Sequence, residues 1–167
     1  MNNVAARNSR VEMAAISEAK RSMILYTDLT PSNPEVDLGI DLLGFRPFPF
    51  AAYPVQVKGT TSGMKVWQQY ALQPTVLLYV INPMSPDTET FVMTGEDAWK
   101  LPMRYVDAGG KASDFHAENL NHYRWPKITS RLSDMLHEHY LDDNETWTRV
   151  LDDIDRGHAQ QRLTRRV

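Results

Sequence analysis

The chain has no cysteine, which excludes a disulfide framework, a thiol nucleophile and any cysteine-ligated zinc or iron–sulfur centre. It has no basic excess: 18 Lys and Arg against 21 Asp and Glu give a formal charge of -3, so the chain as a whole is not a basic nucleic-acid coat. It has no long apolar run, and the longest, Val76-Leu77-Leu78-Tyr79-Val80-Ile81, is far too short to cross a bilayer. The first residues, Met-Asn-Asn-Val-Ala-Ala-Arg, lack the apolar stretch of a secretory signal. These absences predict a soluble, cytoplasmic protein with no membrane partner. No G-x-G-x-x-G or Walker pattern occurs, so no nucleotide cofactor is expected. The 5 histidines are dispersed, and His137-Glu138-His139 lacks the i, i+4 spacing that sets two ligands on one helix face. There is no internal repeat and no low-complexity tract.

What remains is ordinary globular composition. The 167 residues, 42% hydrophobic and 23% charged, suffice for one domain with a sizeable core. Ser9-Arg10-Val11-Glu12 fits a capping box and predicts a helix from there to about Tyr26. Val11, Ala15, Ser22 and Leu25 form one stripe on it, and Ile16, Ala19, Met23 and Tyr26 form another. The cluster Thr30–Pro34 reads as a turn. Strands are predicted at 38–45 and 53–58, separated by Arg46-Pro47-Phe48-Pro49-Phe50, whose two prolines rule out a central strand. A short helix is expected at 65–71. A central strand follows at 75–81, covered on both faces, then a strand at 90–94 and a short helix at 96–101. Residues 102–124 carry no clear period. Helices are expected around Ile128–His139 and Trp147–Ile154, the latter with an acidic outer face of Asp143, Glu145, Asp152, Asp153 and Asp155. A basic tail closes the chain at 161–167. The order predicts an α/β (α+β) fold: a small mixed sheet flanked by helices over 9–101, with a mostly helical C-terminal extension over 102–160.

The chemistry-bearing stretch is 37–60. In a strand, Gln56 and Lys58 point to one face and Val55 and Val57 to the other. A lysine inside an apolar strand needs a partner. Asp41 on the neighbouring strand can supply it, and Glu18, on the helix that packs on the sheet, is a further candidate. Two carboxylates, an amide oxygen and a lysine converging in this way suit a hard cation such as Mg²⁺ or Mn²⁺, which takes oxygen ligands and keeps several waters. Asp37 competes with Asp41 for the role. A part-buried Asp41–Lys58 ion pair and a solvated Glu18 are the plainer readings. Lys20, Arg21 and Lys65 are candidates to follow a nucleic-acid backbone, and the hydroxyl of Thr60 to bond phosphate.

Leu38-Gly39-Ile40-Asp41-Leu42-Leu43, a proline-containing gap and Val55-Gln56-Val57-Lys58-Gly59-Thr60 resemble the core of the PD-(D/E)XK nuclease superfamily. Ile16-Ser17-Glu18-Ala19-Lys20 resembles its first helix. The resemblance spans roughly 10–95 and implies a restriction-endonuclease-like core that hydrolyses DNA phosphodiester bonds with Mg²⁺. It implies that Asp41 binds the metal, that Lys58 is the catalytic lysine, that the Val57 carbonyl adds a ligand and that Glu18 is the helix-one glutamate. Gln56 stands where the motif has an acidic residue, which removes a charge from the metal site. A catalytically silent relative that binds nucleic acid or protein, of the kind found in bacterial or phage conflict, is the alternative. Self-association or a protein partner is expected at the C-terminal helices, whose acidic face repels phosphate.

Overall fold

A computed structural model describes residues 3–35, 39–119 and 121–164. The chain runs through α1 (Asn3–Tyr26), β1 (Thr30–Ser32), β2 (Leu42–Arg46), β3 (Ala51–Thr60), β4 (Met64–Trp67), a 3₁₀ turn (Gln68–Tyr70), β5 (Val76–Ile81), β6 (Glu89–Thr94), α2 (Gly95–Asp107), a second 3₁₀ turn (Ala112–Asp114), β7 (His116–Asn119), β8 (His122–Trp125), α3 (Ser130–Tyr140) and α4 (Asn144–Thr164). The fold is mixed α/β. Five strands in the order β1-β2-β3-β5-β6 make the main sheet, and three in the order β4-β8-β7 make a second. The main sheet is mixed: β3 and β5 are parallel, with Gln56 beside Leu77 and Lys58 beside Tyr79, and every other pair is antiparallel. Among the described residues, no helix is long and apolar enough to cross a membrane.

Strand alternation sorts the side chains into two cores. Tyr53, Val55, Val57, Val76, Leu78, Val80 and Val92 pack under α1 and α4. Leu77, Tyr79, Ile81, Phe91 and Met93 face the opposite way, into α2, α3 and the inner face of the second sheet. The continuously apolar β5 is buried along its whole length, as a strand covered on both faces requires. The buried stripe of α1 is Ala15, Ala19, Ser22 and Met23, and Leu25 is exposed. It combines parts of both predicted stripes. The helix sits close on the sheet at Gly59, where a Cβ would meet the Ala15 Cβ at 2.8 Å.

Several expectations are corrected. α1 begins at Asn3 rather than Ser9, because Ala5-Ala6-Arg7 continues the helix in favourable residues, leaving Ser9 inside it. The turn cluster holds a three-residue edge strand, β1, where Pro31 sacrifices no ladder bond that a central strand would need. Of residues 65–71, only Gln68–Tyr70 turn helically, as a single 3₁₀ turn, and 65–67 belong to a strand. Met64 and Val66 are buried and alternate with Lys65 and Trp67, a period of two, and β4 pairs antiparallel with β8. The unread stretch 102–124 finishes α2, which runs through Pro102, and forms the β7–β8 hairpin. The C-terminal part is mostly helical, as expected, but it also carries this hairpin and, in β8, β4's sheet partner. Its helices do not simply extend the core: Trp147, Val150, Leu151 and Ile154 of α4 complete one core, and Leu132, Met135, Leu136 and Tyr140 of α3 complete the other. Of the basic tail, α4 carries the chain to Thr164, and 165–167 lie outside the described residues.

Candidate metal and nucleic-acid site

Asp41 does not sit within a strand. It is the residue before β2, and its N–H donates to the Val55 carbonyl at 3.1 Å. The chain reaches it through Gly39, whose φ of 75° lies in the left-handed region that glycine occupies without strain. That turn presents the Asp41 carboxylate to the middle of β3. Its Oδ2 accepts the Val57 backbone N–H at 2.7 Å and the Gln56 side-chain Nε2–H. Gln56 is 4% exposed, and its Oε1 is buried with no hydrogen-bond partner among the described residues. A buried amide oxygen left unpaired costs about 1–3 kcal/mol, so this atom calls for a donor or a cation. Both side-chain bonds of Asp41 fall on Oδ2, which leaves Oδ1 without one among the described residues.

Lys58 follows Gln56 on the same face by alternation. Among the described residues no carboxylate pairs with it, so the Asp41–Lys58 ion pair does not form; its ammonium instead lies 5.4 Å from the Tyr70 ring centroid. Val57 points into the core with Val55. The structure thus brings Asp41, Gln56 and the Val57 backbone together, with Lys58 two residues along β3. It does not bring Glu18 to them. α1 covers the valine face of the sheet, and Glu18 there is bound by Arg21, Nε to Oε1 at 3.0 Å. Lys20 and Arg21 lie on the same helix, apart from Lys65 on β4. Asp37 lies outside the described residues.

Beyond Lys58 opens a cleft of about 420 Å³ between the end of β3 and the second sheet, lined by Lys58, Thr60, Lys65, Tyr70, Tyr79 and Arg124 among others. Its floor is fixed by the Tyr79 hydroxyl, which donates to the Lys65 carbonyl at 2.7 Å; complete burial holds that phenol far from ionisation. Lys65 lies 5.7 Å from the Trp67 ring centroid, and Trp67 stacks on His122 with centroids 4.4 Å apart. Glu118 ties the cleft's rim. It accepts from Arg124 at 2.9 Å and His122 at 2.8 Å, and Lys65 stands 3.2 Å away. The bonds from Arg124, then His122 and Lys65, bring its carboxyl down to about 2. Arg124 and the cleft itself escaped the sequence reading. The one available signal was the alternation of His122 and Arg124 with Tyr123 and Trp125, which marks a strand with a polar face.

Among the described residues no group of three or more His, Cys, Asp or Glu is placed to hold a metal. What fits a cation here is a smaller oxygen set: the open Oδ1 of Asp41 and the orphaned Oε1 of Gln56, on side chains held together by their own hydrogen bond. Two protein oxygens suit Mg²⁺, which retains most of its water. Compared with protein families, with curated proteins and with solved structures, the chain matches none of them.

Proposed function

We propose that the protein is a metal-dependent nuclease that hydrolyses DNA phosphodiester bonds, with Asp41, Gln56 and Lys58 as its working residues. The observation that carries this reading is the unpaired, buried Oε1 of Gln56 beside the Asp41 carboxylate. An amide with a purely structural task usually has its buried oxygen satisfied within the fold. Asp41 and Gln56 would hold Mg²⁺ or Mn²⁺, with the Val57 carbonyl as a further candidate ligand. Such a cation, when bound, supplies Lewis-acid polarisation of the phosphodiester. Asp41 brings the single negative charge, and its hydrogen bond from the Val57 N–H fixes the carboxylate before any ligand arrives. Gln56 brings an oxygen without charge, which lowers metal affinity relative to a glutamate.

Lys58 has a separate task. Among the described residues no carboxylate neutralises its ammonium, which leaves it able to donate to phosphate oxygens as negative charge develops there. Water attacks phosphorus, one P–O bond breaks, and a phosphate monoester and a hydroxyl result. A preorganised donor at that point stabilises the transition state more than the ground state.

The test is cleavage by the full chain of duplex, single-stranded and branched DNA in Mg²⁺, in Mn²⁺ and in chelator. Metal-dependent cleavage is expected, and Lys58→Ala lowers the rate by about 10²–10³ with an unchanged melting temperature. No cleavage of any substrate in either metal transfers the reading to the catalytically silent relative. Cleavage that survives Lys58→Ala means another site does the work.

A further inference from the structure

The cleft beyond Lys58 differs in charge from the rest of the molecule. The chain carries a net -3. Among the described residues, those lining the cleft include three cations, Lys58, Lys65 and Arg124, and no carboxylate. Two of these cations sit over aromatic rings, Lys58 over Tyr70 and Lys65 over Trp67. Alternating cations and aromatic surfaces are the composition that holds unpaired nucleotides: the cations take phosphates and the rings take bases, whatever the sequence. A cleft of about 420 Å³ accommodates one or two nucleotides of a strand. A duplex presents only phosphates on the outside of a stiff rod and offers the rings nothing to stack on unless a base is taken out.

We infer that this cleft binds unpaired deoxynucleotides and makes a single strand or strand end, rather than intact duplex, the preferred substrate. The ligand class rests on the nuclease reading above. Lys58 belongs to both regions. It ends the Asp41–Gln56 row and begins the cleft, so a strand lying in the cleft brings its backbone to the reacting side chains. Lys65 and Arg124 already bond a carboxylate, Glu118, and a strand phosphate takes over those donors.

The experiment measures binding apart from cleavage. Fluorescein-labelled oligo(dT) of twelve nucleotides and a hairpin duplex of matching length are titrated with full-length protein in EDTA, by anisotropy, over a range of salt. Oligo(dT) is expected to bind at least about tenfold more tightly than the hairpin. Its log–log salt slope should be about -2, from three cations at about 0.7 each on a single strand. Tyr70→Leu should weaken oligo(dT) by about 5–150-fold, the range of one lost stacking contact, and leave the hairpin unmoved. Arg124→Gln changes a half-exposed side chain, so it keeps the test alive if Tyr70→Leu does not fold. It should lower the slope by about 0.7. Equal affinity for strand and hairpin, or oligo(dT) binding indifferent to the variants, overturns the inference. Asp41-dependent cleavage of duplex that ignores Tyr70→Leu also overturns it and leaves the nuclease reading intact. Oligo(dT) binding that needs Tyr70, with no metal-dependent cleavage of any DNA, does the reverse.

Discussion

The two faces of β3 are built from the same ten residues and do opposite work. On one, Val55 and Val57 are buried under α1, and the helix comes down so closely at Gly59 that a Cβ there would also meet the Val11 carbonyl at 3.1 Å. Val55 and Val57 on this side are committed to packing. On the other, among the described residues, Gln56 keeps an oxygen without a hydrogen-bond partner and Lys58 an ammonium without a carboxylate, and the neighbouring space is a cleft rather than a helix. Under the proposed function, one strand divides stability from chemistry by its two-residue period. The comparison teaches that unpaired polar atoms on a strand whose opposite face is fully packed are where the fold gives up stability for a task.

The sharpest way to break this comparison is to mutate adjacent residues of opposite face. Lys58→Ala should cost catalysis by the large factor given above and leave stability almost unchanged. Gly59→Val, one residue on, should destabilise the fold by about 1–3 kcal/mol through overpacking against Ala15 and Val11, read as a lower urea midpoint. The Gly59→Val protein that remains folded should keep its activity. Loss of stability in Lys58→Ala equal to that in Gly59→Val would erase the distinction between the faces.

Acid sensitivity sharpens it further. On the polar side, the bonds from Arg124, His122 and Lys65 depress the Glu118 carboxyl to about 2 from an ordinary 4.5. A lowered carboxylate contributes stability that is fully present above its unfolded pKa and is lost as pH falls through the folded one. Stability should therefore decline between about pH 4.5 and pH 2. Glu118→Gln should flatten the decline over that window, as followed by urea midpoints at successive pH values. A decline in Glu118→Gln identical to that of the wild type would locate the acid-sensitive group elsewhere.

The smallest effect belongs to Glu18. It lies on the packed side, bound by Arg21 three residues on in α1, and such exposed helix pairs contribute about 0.2–0.5 kcal/mol. Glu18→Gln should change cleavage less than about twofold, since removing a half-exposed ion pair moves nothing at Gln56. A loss comparable with that of Lys58→Ala would mean that the helix contributes to the site after all.

Much of this division was legible in the sequence, and the parts that were not have physical reasons. Gln56 and Lys58 on one side, and Val55 and Val57 on the other, follow from strand geometry. The meeting of Asp41 with Gln56 follows from the adjacency of two successive strands. The unbroken apolar run at Val76–Ile81 announced a doubly covered strand. Glu18 was misplaced because a helical stripe tells which side of the helix is buried but not which side of the sheet receives it. Lys65–Ala71 read as a helix because four residues of β4 are too few for the period of two to stand out, and their partner β8 lies nearly sixty residues later in the chain. The cleft was invisible for the same reason: its walls come from β3, β4 and β8, and only the folded chain brings Lys58 and Arg124 to one space.

The proposed chemistry requires the oxygen pair of Asp41 and Gln56 to hold a divalent cation. Mn²⁺ binding to the full chain without nucleic acid, followed by electron paramagnetic resonance and calorimetry, asks this with no catalysis involved. One site per chain is predicted. Asp41→Asn should abolish it, and Gln56→Glu should tighten it, because a carboxylate adds charge where the amide offers only an oxygen. Mn²⁺ binding that Asp41→Asn leaves intact, or that Gln56→Glu weakens, would contradict the account.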